Sequence, residues 1–160
     1  MNEYESAALW KIYLNNDEGI AVQSTFKRLA GSFSDYSGDD VFIGKVKYAD
    51  YNVNWIPEGY TFCPFLHKRR SFEHEKELRV IIQRIPTRQG SNKEHEEVDL
   101  KKEICDIEIY VPIDLNTLVE RIFVSPTAQT WFSDLVKAIV ARYSLDKPVS
   151  RSSLAEDPVY

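Results

Sequence analysis

Cysteine is scarce in this chain and is not spaced for chemistry. Among 160 residues there are two, Cys63 and Cys105, with no Cys-x-x-Cys arrangement, which leaves neither a zinc ribbon nor a disulfide framework to read. No signal-peptide pattern opens the sequence, and both residues are expected as reduced thiols of a cytoplasmic protein. Long apolar runs are also missing: nothing approaches the roughly 20 residues that cross a bilayer. Positive charge is in deficit, with 20 Lys and Arg against 25 Asp and Glu, a net charge of -5 and a pI near 5.3. That balance argues against non-specific binding to nucleic acid or to an anionic membrane. The six glycines build no phosphate loop, dinucleotide fingerprint or Gly-x-Ser-x-Gly elbow.

What is present suits an ordinary core. Hydrophobic residues make up 43% of the chain and aromatics 12%, and a chain of this length buries roughly 70% of its unfolded surface. One domain over residues 1–150 is expected, with a polar tail over 151–160. Asn2, with Glu5 three residues on, marks a capping box for a helix over 2–15 whose apolar stripe is Ala7, Trp10 and Leu14. A short strand follows at Gly19–Ser24. Ser24 or Thr25 then caps a helix that Gly31 ends. Val41–Tyr48 alternates Phe42, Val46 and Tyr48 against Lys45 and Lys47, a strand with one apolar and one cationic face.

Pro86–Lys102 is polar and reads as an exposed hairpin. Cys105–Val111 alternates cleanly and is expected to pair antiparallel with Leu78–Ile85. Asp114 caps a helix over Leu115–Glu120, and Ile122–Val124 is a further strand. Ser125-Pro126 reads as a helix start, with Trp131, Leu135, Ala138 and Ile139 on its inward stripe. The expected class is α+β: a mixed, mostly antiparallel sheet of about five strands with helices mainly on one side.

The densest chemistry lies in the middle. His67, Lys68, Arg69 and Arg70 run into Glu73, Glu75 and Glu77, and Arg79 opens the apolar run Val80-Ile81-Ile82. As a strand from Glu75 onward, this segment sets Glu75, Glu77 and Arg79 on one face and Leu78, Val80 and Ile82 on the other. Carboxylates two apart on a strand lie about 7 Å from each other. Their repulsion is about 0.6 kcal/mol in water and roughly 2 kcal/mol in a cleft of effective dielectric near 20. As a helix, the same residues give only a favourable Glu75–Arg79 pair and a mildly repulsive Glu73–Glu77 pair.

Several strings together resemble one bacterial family. They are Glu5-Ser-Ala-Ala-Leu-Trp-Lys-Ile-Tyr13, Glu18-Gly-Ile-Ala-Val-Gln-Ser-Thr25, Gly44-Lys-Val-Lys-Tyr48, the run from Lys68 to Arg79, and Ile122-Phe-Val-Ser-Pro-Thr-Ala128. The family is domain-of-unknown-function family 2971, and the resemblance covers about residues 4–85 and 117–150. It implies that members carry an upstream Tyr-Arg strand and an Asn-Asp-Pro-Phe-Glu stretch that this sequence lacks. A second copy of the chain, or another protein, is then expected to supply that part.

Three functional classes follow. The first is a binding protein for a small anionic ligand, nucleotide- or phosphate-like, in a cleft lined by Lys45, Lys68, Arg70 and Arg79 with Ser24 and Trp10. The second is an enzyme of the ADP-ribosyltransferase kind or another nucleotide-processing type. Glu75 and Glu77 would be its catalytic pair and NAD or another nucleotide its partner, because one carboxylate can steady a ribosyl cation while its neighbour orients the acceptor. The third is a non-catalytic interaction subunit. Cys63, His67 and His74 fall short of the four paired ligands of structural zinc, so no metal is expected, and no resident cofactor either.

Overall fold

The computed structural model describes residues 4–14, 16–57, 59–89, 96–99, 101 and 110–156. The fold is α+β. Among the described residues, however, its strands divide among four small sheets and do not join in one sheet of five.

The core is built around a three-stranded sheet. Strand β8 (Arg121–Val124) lies between β1 (Ile20–Gln23), antiparallel to it, and β9 (Val149–Arg151), parallel to it. A parallel pair needs a long crossover, and helix α5 (Thr130–Arg142) provides it. Val119, Ile122, Val124, Ala128 and Val136 are buried together, with Phe132, Val140, Leu145 and Val149 packed against them.

The buried stripe of α5 is therefore Phe132, Val136 and Val140. The expected stripe sits one residue, about 100°, round the helix and leaves Trp131, Leu135 and Ile139 about half exposed. Both stripes are apolar, so periodicity alone could not choose between them. The sheet chooses. The start of α5 also differs from expectation. Ser125 is fully buried and its N–H still bonds the Gly19 carbonyl at 2.9 Å, so the chain must turn before it can coil. Gln129 takes the N-cap position.

The end of α5 is a Schellman motif. Leu145 N–H bonds the Val140 carbonyl, Ser144 N–H bonds that of Ala141, and Ser144 has φ 54°. Val140 and Leu145, the positions that such a motif brings together, both pack against the core. This turn delivers the chain to β9, where Pro148 accepts a bond from Ile122 N–H. The first residues of the expected polar tail take part in this structure. Arg151 is still strand, and Ser152, almost fully buried, donates to Glu5 Oε2 at 3.0 Å. A three-residue strand with one strongly apolar side chain leaves little trace in a sequence.

The smaller sheets carry the charged face. β2 (Val41–Lys45) pairs antiparallel with β5 (Leu78–Ile82), and β3 (Lys47–Ala49) pairs parallel with β4 (His67–Arg69). β5 was expected against Cys105–Val111; residues 105–109 lie outside the described ones, and among the described residues β5 pairs with β2. β6 (Thr87–Gln89) and β7 (Glu96–Val98) pair antiparallel inside the segment read as a hairpin.

The remaining helices are short. α1 (Ala7–Tyr13) is capped by Ser6, whose hydroxyl accepts from Leu9 N–H at 3.3 Å; Asn2 lies outside the described residues. Thr25 caps α2 (Phe26–Gly31), and Asp114 caps α4 (Leu115–Leu118). α4 stops before Glu120 because Val119 is buried on the way to β8. α3 (Cys63–Leu66) lies against Gly44 so closely that a Cβ there would sit 2.5 Å from the Leu66 side chain. Among the described residues, no helix is long and apolar enough to cross a membrane.

Candidate functional site

Pairing fixes which charges meet. Val46 N–H bonds the Glu77 carbonyl at 3.0 Å, one step beyond the β2–β5 ladder. Opposed residues share a face and neighbours alternate, so Val46, Glu77, Gly44 and Arg79 look one way. Tyr48 follows Val46 by two and joins that face, and β4 adds Lys68, which is paired with Tyr48. Tyr48 Oη accepts the Glu77 N–H at 2.8 Å and locks the corner.

Glu75 arrives by a different route from the one expected. It ends a 3-10 turn, Arg70–Glu75, and does not belong to the strand. Lys76 follows in the left-handed region at φ 47°, ψ 49°, and that single residue reverses the chain enough to set Glu75 beside Glu77. The strand proper begins at Leu78. The i,i+4 helical pairing of Glu75 with Arg79 is absent as well.

The result is a closed network of charge. Lys68 Nζ bridges the two carboxylates, bonding Glu75 Oε2 and, at 3.3 Å, Glu77 Oε2. Arg79 grips Glu77 with two prongs, Nε to Oε1 at 2.6 Å and an Nη to Oε2 at 3.2 Å. Its other Nη donates to the Phe65 carbonyl on α3 at 2.6 Å. Tyr13, the last residue of α1, donates its hydroxyl to Glu75 Oε1 at 3.1 Å. The Phe72 ring lies 4.8 Å from the Lys68 ammonium, within cation–π range. All four carboxylate oxygens have a donor, and the two cations balance the two anions.

Protonation follows from this. Arg79, then Lys68, hold the Glu77 carboxyl below its ordinary range, against the opposing effect of burial. Its bond to Glu75 raises the Lys68 ammonium, and Glu77 does the same for Arg79. The bond to Glu75 also raises the Tyr13 hydroxyl, which therefore stays a donor. A general base works best with a pKa near the working pH, and Glu77 is displaced away from that. It is placed to orient and to attract positive charge.

The network walls an open cleft of about 360 Å³, lined by Leu9, Tyr13, Lys68, Glu75 and Glu77. Lys68, Glu75, Glu77 and Arg79 are thus brought together. The other four expected residues are placed elsewhere. Lys45 stands on the reverse of the sheet, because it opposes Leu78. Arg70 is exposed and lies 3.7 Å from Glu73. Ser24 donates to the Leu118 carbonyl at 2.6 Å, a link from its loop to the end of α4. Trp10 lines a separate cleft of about 650 Å³ with Leu14, Pro126 and Leu154.

Tyr13, Tyr48 and Phe72 join the network, and the sequence reading assigned none of them to the site. One signal was available: Leu9 and Tyr13, four apart, fall off the Ala7–Trp10–Leu14 stripe and so face another surface. His67 is not free for a metal through Nδ1, which donates to the Cys63 carbonyl at 2.7 Å. Among the described residues, no group of three or more His, Cys, Asp and Glu could hold a metal ion. Comparison of the chain with family models, with curated proteins and with solved structures finds no match to any.

Lys76 gives the site a direct test. A non-glycine residue in the left-handed region costs about 1–2 kcal/mol. Lys76→Gly is expected to hold or raise the denaturation midpoint. Lys76→Val, whose branched side chain resists that conformation, is expected to lower stability by about 1–2 kcal/mol in urea unfolding. Equal stability of the two variants would mean that this turn is not left-handed.

Proposed function

We propose that the Tyr13–Lys68–Glu75–Glu77 cleft binds a small nucleotide-like ligand, one that carries both hydroxyl groups and an anionic group. The observation that supports this reading most is the single ammonium shared by two carboxylates on the cleft wall. Lys68 is fixed in place with one N–H unused by the carboxylates, a point donor for a phosphate or carboxylate oxygen. Glu75 and Glu77 keep lone pairs to accept from sugar-like hydroxyls, since an ionised carboxylate has about four acceptor positions. Tyr13 and Leu9 offer an apolar side wall. Because the charges cancel, bare phosphate gains little here, and a ligand that also donates hydrogen bonds gains more. The cleft volume lies within the range of about 300–1,000 Å³ usual for small-molecule sites.

A thermal-shift series with inorganic phosphate, nucleoside monophosphates, ADP-ribose and NAD tests this. A ligand present at 100 times its dissociation constant adds about 2.7 kcal/mol, or about 5–10 °C for a domain of this size. The expected pattern is a shift from one of the ribose-bearing ligands, none from phosphate alone, and loss of the shift in Lys68→Met. No shift from any of them at millimolar concentration would remove the reading.

A further inference from the structure

The reverse of the same sheets is charged in a different manner. Alternation sets Lys45 and Lys47 opposite to Val46 and Tyr48. The β3–β4 register places His67 beside Lys47 and Arg69 beside Ala49, on that same reverse face. On the cleft side, Lys68 and Arg79 are both paired with carboxylates. Lys45, Lys47 and Arg69 form no ion pair among the described residues. Asp50, the acid next to this face in sequence, is held within its own turn: its carboxylate accepts from Asn52 N–H and its carbonyl from Asn54 N–H.

That turn presents an aromatic surface at the end of the cationic row. The Arg69 guanidinium lies 5.2 Å from the centre of the Tyr51 ring, and Tyr51 is 44% exposed. Trp55, four residues on, is 78% exposed. Side chains two apart on a strand are about 7 Å apart, comparable with successive phosphates of an extended strand. A cationic track with aromatic rings beside it is the usual means of holding single-stranded nucleic acid without reading its sequence.

We propose that this reverse face binds a short stretch of single-stranded nucleic acid, with phosphates along Lys45, Lys47 and Arg69 and a base stacked on Tyr51. The chain's net charge of -5 confines the contact to this strip, because the surrounding surface repels a polyanion. The footprint is accordingly small. Three cations on a single strand give a slope of log affinity against log salt of about −2.

Fluorescence anisotropy of a labelled single strand about ten nucleotides long, as DNA and as RNA, tests the proposal on the intact chain between about 50 and 200 mM salt. The expected result is saturable binding with a slope near −2. Lys47→Gln and Arg69→Gln should each reduce the slope by about 0.7. Tyr51→Ala should weaken binding about tenfold and leave the slope in place. All three positions are on or near the surface, so unchanged melting curves are the control for folding.

Absence of binding at 50 mM salt overturns the proposal, as does binding that Lys47→Gln and Arg69→Gln leave unaltered. So does equal competition by inorganic polyphosphate with no effect of Tyr51→Ala, which would reduce the strip to a plain anion patch. Capture on anionic vesicles without oligonucleotide binding would assign the face to a membrane surface and likewise sink it.

Discussion

Ile122→Ala is expected to lower folding stability by about 3 kcal/mol, within the range of about 2–5 kcal/mol for truncating a buried aliphatic side chain to alanine. Ile122 is 4% exposed, at the centre of β8, the strand that joins β1 to β9 and meets the inner stripe of α5. Its removal leaves a cavity that three strands and a helix share, so relaxation from one side cannot fill it. The melting temperature should fall by about 6–12 °C, and the urea midpoint should fall without a change in the slope of the transition. Ile139→Ala supplies the contrast. Ile139 is 46% exposed on the outer stripe of α5, and its truncation should stay within about 0.5 kcal/mol of the parent. Equal losses at both positions would show that α5 presents its other stripe to the sheet.

That pair of substitutions also marks where the sequence was legible. The α+β class, the strands around Val41, Leu78 and Ile122, and the caps at Thr25 and Asp114 follow from local pattern and side-chain chemistry. What was hidden depends on contacts distant in the chain. Two apolar stripes of α5 compete, and only the sheet decides between them. Ser125-Pro126 has the chemistry of a helix start, but Ser125 is still bonded to Gly19 when the helix would have to begin.

The candidate site divides in the same way. Lys68, Glu75, Glu77 and Arg79 stand out as a charge-dense run, and they do meet in space. The means by which they meet was not visible, because nothing about a lysine announces a left-handed backbone at Lys76. Lys45, cationic and close in sequence, falls on the reverse face through a strand's alternation, which the sequence did show as a split between apolar and cationic faces. Tyr13 enters from a helix that packing against the core does not explain. Its hydroxyl reaches Glu75 across 62 residues of chain, a contact that no local pattern encodes.

Glu77→Gln should give the clearest electrostatic result. In the parent, Glu77 accepts two bonds from Arg79 and one from Lys68, and its side chain is 27% exposed. Hydrogen bonds to charged groups contribute about 1.5–3 kcal/mol when well buried. Partial exposure lowers the expected loss to about 1–2 kcal/mol at neutral pH.

The pH dependence separates this effect from simple loss of packing. The folded carboxyl lies below its ordinary value of 4.5, so the unfolded chain binds the proton more readily. The stabilisation is complete above 4.5 and drains away as the pH falls through the lower folded value. Glu77→Gln has no such group, and its stability should decline less steeply below pH 4.5, so that the two curves converge in acid. Parallel curves would mean that Glu77 does not form the Arg79 and Lys68 contacts in solution. The substitution also removes one anion from a balanced cleft and leaves Lys68 and Arg79 facing Glu75 alone. Inorganic phosphate, which the parent is expected to ignore, should then begin to stabilise the protein; if it stabilises both equally, charge balance does not govern what the cleft accepts.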